Sequence, residues 1–335
     1  MALAAMGAVA LSVGVAEAGK GGGGGVIPPG TGTIYFTPDN GGFGIGLWSM
    51  NADGSGKTAL PTSVRGVPSN QVHGGARWFL SGSYGQIHAT REDGSSDVQF
   101  WNDTTYFIRQ AVWGRDDAFV SFTWSDSPQD SANRISRLDI AFDADGVPSA
   151  VGGPVAVSGI AAYNLKAHTL SPSGDRVAWI DESPEAVRLN VTNVATGATT
   201  SIASTSVYWD SNLAWSPDGT RILFENGHGI DTIDPSGANR RNILQNSQST
   251  SGSGPNLKIT GVYLFATDWS PDSAAIVYRR YVRVWYAYSD PFDRDHHHYV
   301  PDDSDVYRAS ADGSATQNLT MELTNGSLAY PFAWR

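Results

Sequence analysis

The chain has 335 residues with 22 Lys and Arg against 33 Asp and Glu, and its formal charge of -11 disfavours a nucleic-acid backbone or an anionic membrane surface as partner. It contains no Cys, which excludes disulfides, a lipid anchor on Cys and thiolate chemistry. Aromatic residues make up 11% of the chain, 11 of them Trp, so large apolar areas are available for packing between repeated units.

The chain opens on an apolar run over 2–16 that ends in Ala16-Glu17-Ala18, an Ala-x-Ala cleavage signature, so 1–18 reads as a secretory signal peptide. It lacks a basic first segment, and an Ala-rich tail without structure is the other reading. The run is too short to span a bilayer. Export to the periplasm or medium, as a soluble mature protein, is the expectation. Residues 19–32 are Gly-rich and read as a flexible linker, a spacer before one domain over 33–335.

The first unit starts with the strand Thr33-Ile34-Tyr35-Phe36 and continues through Leu47-Trp48-Ser49-Met50, the turn Asn51-Ala52-Asp53-Gly54, and Lys57-Thr58-Ala59-Leu60. In the second unit a first strand is placed by spacing at 72–74, inside Gln71-Val72-His73-Gly74-Gly75, and the later turn is Glu92-Asp93-Gly94. The third has its first strand at 108–113. Its Asp143-Ala144-Asp145-Gly146 resembles the start of a calcium loop but has no Glu at the required distance, so a turn is expected.

The fourth, fifth and sixth units share a phrase. It reads Leu213-Ala214-Trp215-Ser216-Pro217-Asp218-Gly219, then Thr267-Asp268-Trp269-Ser270-Pro271-Asp272-Ser273, with a worn copy at Thr169-Leu170-Ser171-Pro172-Ser173-Gly174. Pro217 pre-sets φ for a type I turn, Asp218 bonds nearby N–H groups, and Gly219 accepts a left-handed conformation. Each copy precedes a β-type run such as Arg221-Ile222-Leu223-Phe224. The units later turn again, at Pro235-Ser236-Gly237 and Ala311-Asp312-Gly313. Two hairpins per unit give four antiparallel strands, A to D, which is a propeller blade.

The first unit lacks strand A, and the last residues supply it: Pro331-Phe332-Ala333-Trp334 matches Asn212-Leu213-Ala214-Trp215 in register. The spacing therefore predicts an all-β, six-bladed propeller closed by pairing of the C-terminal strand with the N-terminal blade, at about 50 residues per blade. The Trp-Ser-Pro-Asp-Gly phrase, the Ile-x-Phe strand, the Asp-Gly turn and the closing Leu319-Thr320 resemble the WD-like repeats of TolB-type propellers over roughly 31–335. No counterpart of the α/β domain that precedes the TolB propeller is read here, so that family's partner-binding roles do not carry over as they stand.

Both tight turns of a blade leave from one rim, so the B–C and D–A connections leave from the other, where binding is expected. The long connections are read at 63–70, 101–107, 204–210, 245–260 and 281–303. Their aromatic residues Trp101, Tyr106, Tyr208, Trp209, Trp285, Tyr286 and Tyr288 suit a protein interface or stacking on sugar rings, or tuck under neighbouring loops. The insertion at 281–303 and the residues just after it carry Asp293, Asp295, His296 and His298 as candidate ligands for a divalent metal, with a solvated polar hairpin as the plainer reading.

His73 and His168 fall in proposed A strands near the axis. Propeller lyases of similar repeat type hold metal on such His, but two residues on nonadjacent blades are more simply packed. No Gly-x-Ser-x-Gly elbow occurs. The functional expectation is an exported, monomeric, non-catalytic platform that uses no cofactor and binds a protein or envelope polysaccharide. The alternative is a metal-assisted lyase or hydrolase of a glycan or lactone.

Overall fold

The computed structural model describes residues 30–39, 46–127, 133–160, 162–206, 212–253, 257–287, 303–320 and 328–335. Blade 1 contains β1 (Thr33–Asp39), β2 (Trp48–Asn51) and β3 (Thr58–Ala59); blade 2 contains β4 (Val67–Pro68), β5 (Trp78–Ser83), β6 (Gln86–Arg91) and β7 (Asp97–Asn102). Blade 3 is β8 (Phe107–Trp113), β9 (Phe119–Ser125), β10 (Arg134–Phe142) and β11 (Pro148–Ala156); blade 4 is β12 (Leu165–Leu170), β13 (Arg176–Glu182), β14 (Val187–Asn193) and β15 (Thr199–Thr205). Blade 5 is β16 (Leu213–Trp215), β17 (Ile222–Glu225), β18 (Gly229–Ile233) and β19 (Arg241–Gln245). An extra strand, β20 (Ser247–Ser251), precedes blade 6, which is β21 (Leu257–Trp269), β22 (Ala275–Ala287), β23 (Asp303–Ser310) and β24 (Thr316–Asn318).

The final strand, β25 (Leu328–Trp334), pairs antiparallel with β1, Ile34 opposite Trp334 and Thr37 opposite Tyr330, and so supplies strand A of blade 1. The six blades are four-stranded and antiparallel, and one parallel bridge, Ser304 to Leu328, links blade 6 to blade 1. Hydrophobic clusters lie between neighbouring blades all around the ring. Trp78, Leu80 and Ile87 of blade 2 meet Trp113, Val120 and Phe122 of blade 3, and Val277 and Val306 of blade 6 meet Ile34 and Trp334 of blade 1. A blade is thus buried on both faces, and β9 is buried at every position.

The shared phrase makes the expected turn. Ser216 Oγ donates to Asp218 Oδ1 at 2.6 Å and accepts the Arg221 N–H at 2.9 Å, while Asp218 Oδ1 accepts the Thr220 N–H at 3.0 Å. Blade 6 repeats it with Ser270, Asp272 and Ala274, and Ser273 adopts the left-handed φ of 60° that Gly219 adopts at 75°. The C–D turn of blade 6 uses the same device: Ser310 Oγ and the Ser314 N–H both donate to Asp312, whose pKa these bonds lower to about 2.

Tryptophans at the ends of A strands tie blades together. Trp113 Nε1 donates to Val67 O at 3.1 Å, and Trp269 Nε1 to Ala214 O at 3.2 Å, each reaching the A strand of the preceding blade. Arginines opening the B strands stack on A-strand Trp rings from the preceding blade: Arg176 lies 5.1 Å from the centroid of Trp215 and Arg221 lies 4.5 Å from that of Trp269.

Blade 2 corrects one expectation. Its strand A is Val67–Pro68, and 72–74 belongs to the A–B connection, where His73 forms an isolated bridge with Ala76. The turn serine survives as Ser69, but its Oγ accepts the N–H of Trp78, nine residues on, where Ser216 accepts that of Arg221, five residues on. Gly74, at φ 57°, packs so closely on the C–D turn of blade 3 that a Cβ would stand 1.9 Å from Asp145 O. The Asp143-Ala144-Asp145-Gly146 segment is that turn, with Asp143 Oδ1 accepting the Asp145 and Val147 N–H groups.

Blade 6 departs too. Part of 245–260 is strand β20 and the start of β21, and 281–287 continues β22, so these stretches form a three-stranded ribbon rather than open loops. The ribbon extends from the side opposite the Trp269-to-Ala275 turn.

Trp334 is 1% exposed and donates Nε1 to Thr31 O at 2.8 Å. Trp334→Ala removes the largest side chain at the closure and is expected to cost about 3–5 kcal/mol in urea unfolding. A loss within the range of an exposed substitution would mean that the closing strand adds little.

Candidate functional site

Of the aromatic candidates on the long-connection side, Trp101 and Tyr106 flank the crossover from blade 2 to blade 3 and meet edge to face at 6.5 Å. Both are half-buried against the cluster between these blades, and Tyr106 also lies 4.3 Å from the Trp124 ring. Trp285 stands opposite Ile259 in the ribbon, half-buried, with Tyr286 opposite Lys258 in the backbone register. Tyr208, Trp209 and Tyr288 lie outside the described residues, as do Asp293, Asp295, His296 and His298.

Two tyrosines on the same side were not singled out from the sequence. Tyr84, in the B–C turn of blade 2, is 74% exposed, and Tyr163, in the crossover from blade 3 to blade 4, is 65% exposed. Tyr84 and Gly85 both have positive φ, 48° and 81°, the type I′ pattern that favours Asn-Gly. The tip packs on the Trp101–Tyr106 crossover: a Cβ on Gly85 would lie 2.1 Å from Asp103 O. The available signal was Ser83-Tyr84-Gly85-Gln86, a Gly at the second corner of a two-residue hairpin.

The histidines near the axis are engaged with protein groups. His168 is 1% exposed; Gln110 Oε1 accepts from its Nδ1 at 2.8 Å and from its backbone N–H at 3.1 Å, and Nε2 accepts from Ser121 Oγ at 2.8 Å. Burial lowers its pKa to about 4, so the ring is neutral near pH 7. His73 stacks on Phe142 at 3.6 Å and places Nε2 2.9 Å from Asp117 Oδ2. Asp117 is fully buried at φ 58°, in the position of Gly219, and also accepts the N–H groups of Asn70 and Gln71. This carboxylate ties the turn of blade 3 to the A–B connection of blade 2. Among the described residues, no three His, Asp or Glu side chains lie together in a way that could hold a metal ion.

A cavity of about 450 Å³ opens where the A–B turns converge on the axis, on the tight-turn side. Its charged lining is Arg77, Arg115, Arg335, Asp116 and Asp268, and a deeper space of about 150 Å³ continues along the A strands past Gln110 and His168. Asp268 accepts the backbone N–H groups of Trp269 at 2.8 Å and Trp334 at 3.1 Å, and it pairs with the Arg335 guanidinium. Arg77 Nη1 donates to Ser69 O and Asn70 O. The sequence places binding on the opposite side, and the signal for this mouth lies in departures from the phrase. Trp113-Gly114-Arg115-Asp116 puts Arg where Pro217 and Pro271 stand, and Asp268 takes the place of Ala214.

Two measurements follow from the buried groups. The folded His168 stays neutral where the unfolded residue, at its ordinary 6.5, is protonated, so its contribution is full above pH 6.5 and falls away toward about pH 4. Thermal scans are expected to show a decline over that window that His168→Gln reduces; equal slopes in both proteins would count against it. Asp117→Ala leaves buried amides without an acceptor and is expected to cost at least about 2 kcal/mol, more than Asp116→Ala at an exposed site.

No family model and no curated protein matches the sequence. Solved structures do. A chain of a nidogen/laminin complex is 9% identical, with TM-score 0.50 over 90% of this chain and 97% of that one. A TolB candidate from Agrobacterium tumefaciens is 15% identical, with TM-score 0.48 over 91% and 98%. TolB from Acinetobacter baumannii is 17% identical, with TM-score 0.44 over 61% of this chain and 49% of that one. At such identity the likeness is one of fold. The chain is a six-bladed β-propeller, closed by pairing of its last strand with the first blade.

Proposed function

We propose that this propeller is an exported, non-catalytic binding platform that engages a protein partner of the cell envelope through its long-connection side. Tyr84 carries the reading. A bulky side chain at positive φ is less stable there than Asn or Gly, and this one is held out to solvent on a rigid hairpin. Tyrosine presents a large amphipathic surface with few torsions to immobilise, which suits it to interface anchors. Tyr163 supplies a second exposed ring, and the β20–β21–β22 ribbon a raised wall. An envelope polysaccharide stacking on the same rings is the competing occupant. Export rests on the signal signature at 1–18, which lies outside the described residues.

Site-specific photo-crosslinkers in place of Tyr84 and Tyr163, in cells, are expected to trap the same discrete protein, while one at Val72, 58% exposed on the tight-turn side, traps none. Tyr84→Asn is expected to relieve the turn, raising stability by about 0.5–1 kcal/mol, and to abolish trapping from position 163. Equal adducts at all three positions, or none at 84 and 163, would overturn the reading. N-terminal sequencing of the mature protein is expected to begin at Gly19; an intact Met1 would remove export.

A further inference from the structure

We propose that the axial mouth on the tight-turn side is a binding site for a small oxyanion, a carboxylate or phosphate group, held between Arg115 and Arg335. The site is separate from the long-connection side and does not depend on the platform reading. Its cavity of about 450 Å³ is lined from blades 1, 2, 3, 5 and 6, a space suited to a metabolite-sized ligand.

The charges there are unevenly committed. Asp268 is occupied by two backbone N–H groups and by Arg335, which it holds in place. Asp116, the other carboxylate in the lining, accepts the Ala118 N–H at 3.1 Å. Arg77 is spent on two carbonyls through Nη1. Arg115 is exposed and has one hydrogen bond among the described residues, to Pro271 O at the outer limit of 3.5 Å. In the lining three guanidinium groups meet two carboxylates, and the buried Asp117 also pulls on Arg115 from behind.

Arg115 also stands beside a like charge. Partial burial, followed by the like charge of Arg335, holds its pKa below the ordinary arginine value, against the opposing pull of Asp268 and Asp117. An oxyanion placed between the two guanidinium groups would relieve that repulsion and fill the fork of donors that Arg115 leaves open. The substitution that creates the site is specific, because Pro occupies the corresponding corner in blades 4, 5 and 6 as Pro172, Pro217 and Pro271.

Isothermal titration of the full chain with inorganic phosphate and with malonate, against chloride at matched ionic strength, tests the proposal. At least one of the two is expected to bind saturably with a Kd below about 1 mM. Preference for phosphate would assign a phosphate-bearing ligand, and preference for malonate a carboxylate. Arg115→Ala is expected to weaken binding by about tenfold or more while leaving the melting temperature in anion-free buffer unchanged, and Arg115→Lys, which keeps a point charge without the fork, to fall between. Heats no different from chloride, or wild-type affinity in Arg115→Ala, would overturn it.

Discussion

The antiparallel pairing of β25 with β1 is the constraint on which the other contacts rest. Each blade buries both faces against neighbours, so an unclosed ring would expose the inner faces of blades 1 and 6 as well as two sheet edges. The last two described residues concentrate that closure. Arg335 exchanges backbone hydrogen bonds with Thr33, pairs its guanidinium with Asp268 of blade 6, and reaches Pro68 O of blade 2 at 3.4 Å. Asp268 holds Trp334 and Arg335 together, so the wall of the axial mouth and the lock of the ring are made by the same side chains.

The fold was legible because its turns are built from local chemistry. Ser, Pro, Asp and Gly in order specify a hairpin whose bonds all close within six residues, and both full copies form the same network. Blade 2 was misplaced because its turn is stabilised from outside. Asp117, forty-four residues from His73, supplies the acceptor that Asp218 supplies locally in blade 5, and a carboxylate from another blade leaves no pattern beside the residues it serves. The ribbon was read as loop for a related reason. Its strands are polar along β20, Ser247-Gln248-Ser249-Thr250-Ser251, without the alternation that marks a half-buried strand, and it is held by its backbone ladder with β21.

The candidate site was less legible than the ring. Trp101 and Tyr106 draw attention by size, yet they pack into the cluster between blades 2 and 3, whereas Tyr84 looks ordinary until its φ is known. The axial mouth leaves even less trace. Its arginines come from positions 77, 115 and 335, and only the rotational symmetry of the ring brings them to one axis. No spacing rule along the chain could group them.

The same symmetry supplies a rule that a linear motif cannot. Equivalent positions in successive blades meet the same surroundings, so a residue that breaks the consensus should have a reason in packing or in function. Asp117 at the Gly219 position has a packing reason, because four hydrogen bonds from blade 2 converge on its carboxylate. Arg115 at the Pro217 position has none: replacing a φ-fixing ring with a flexible cation loosens the turn, and its one long bond to Pro271 O offsets little of that. Tyr84, set in a left-handed corner, departs in the same sense on the opposite side. In both places the scaffold accepts a locally less stable residue whose side chain is left facing an open surface, and such departures separate the parts of a repeat that do something from the parts that only hold it together.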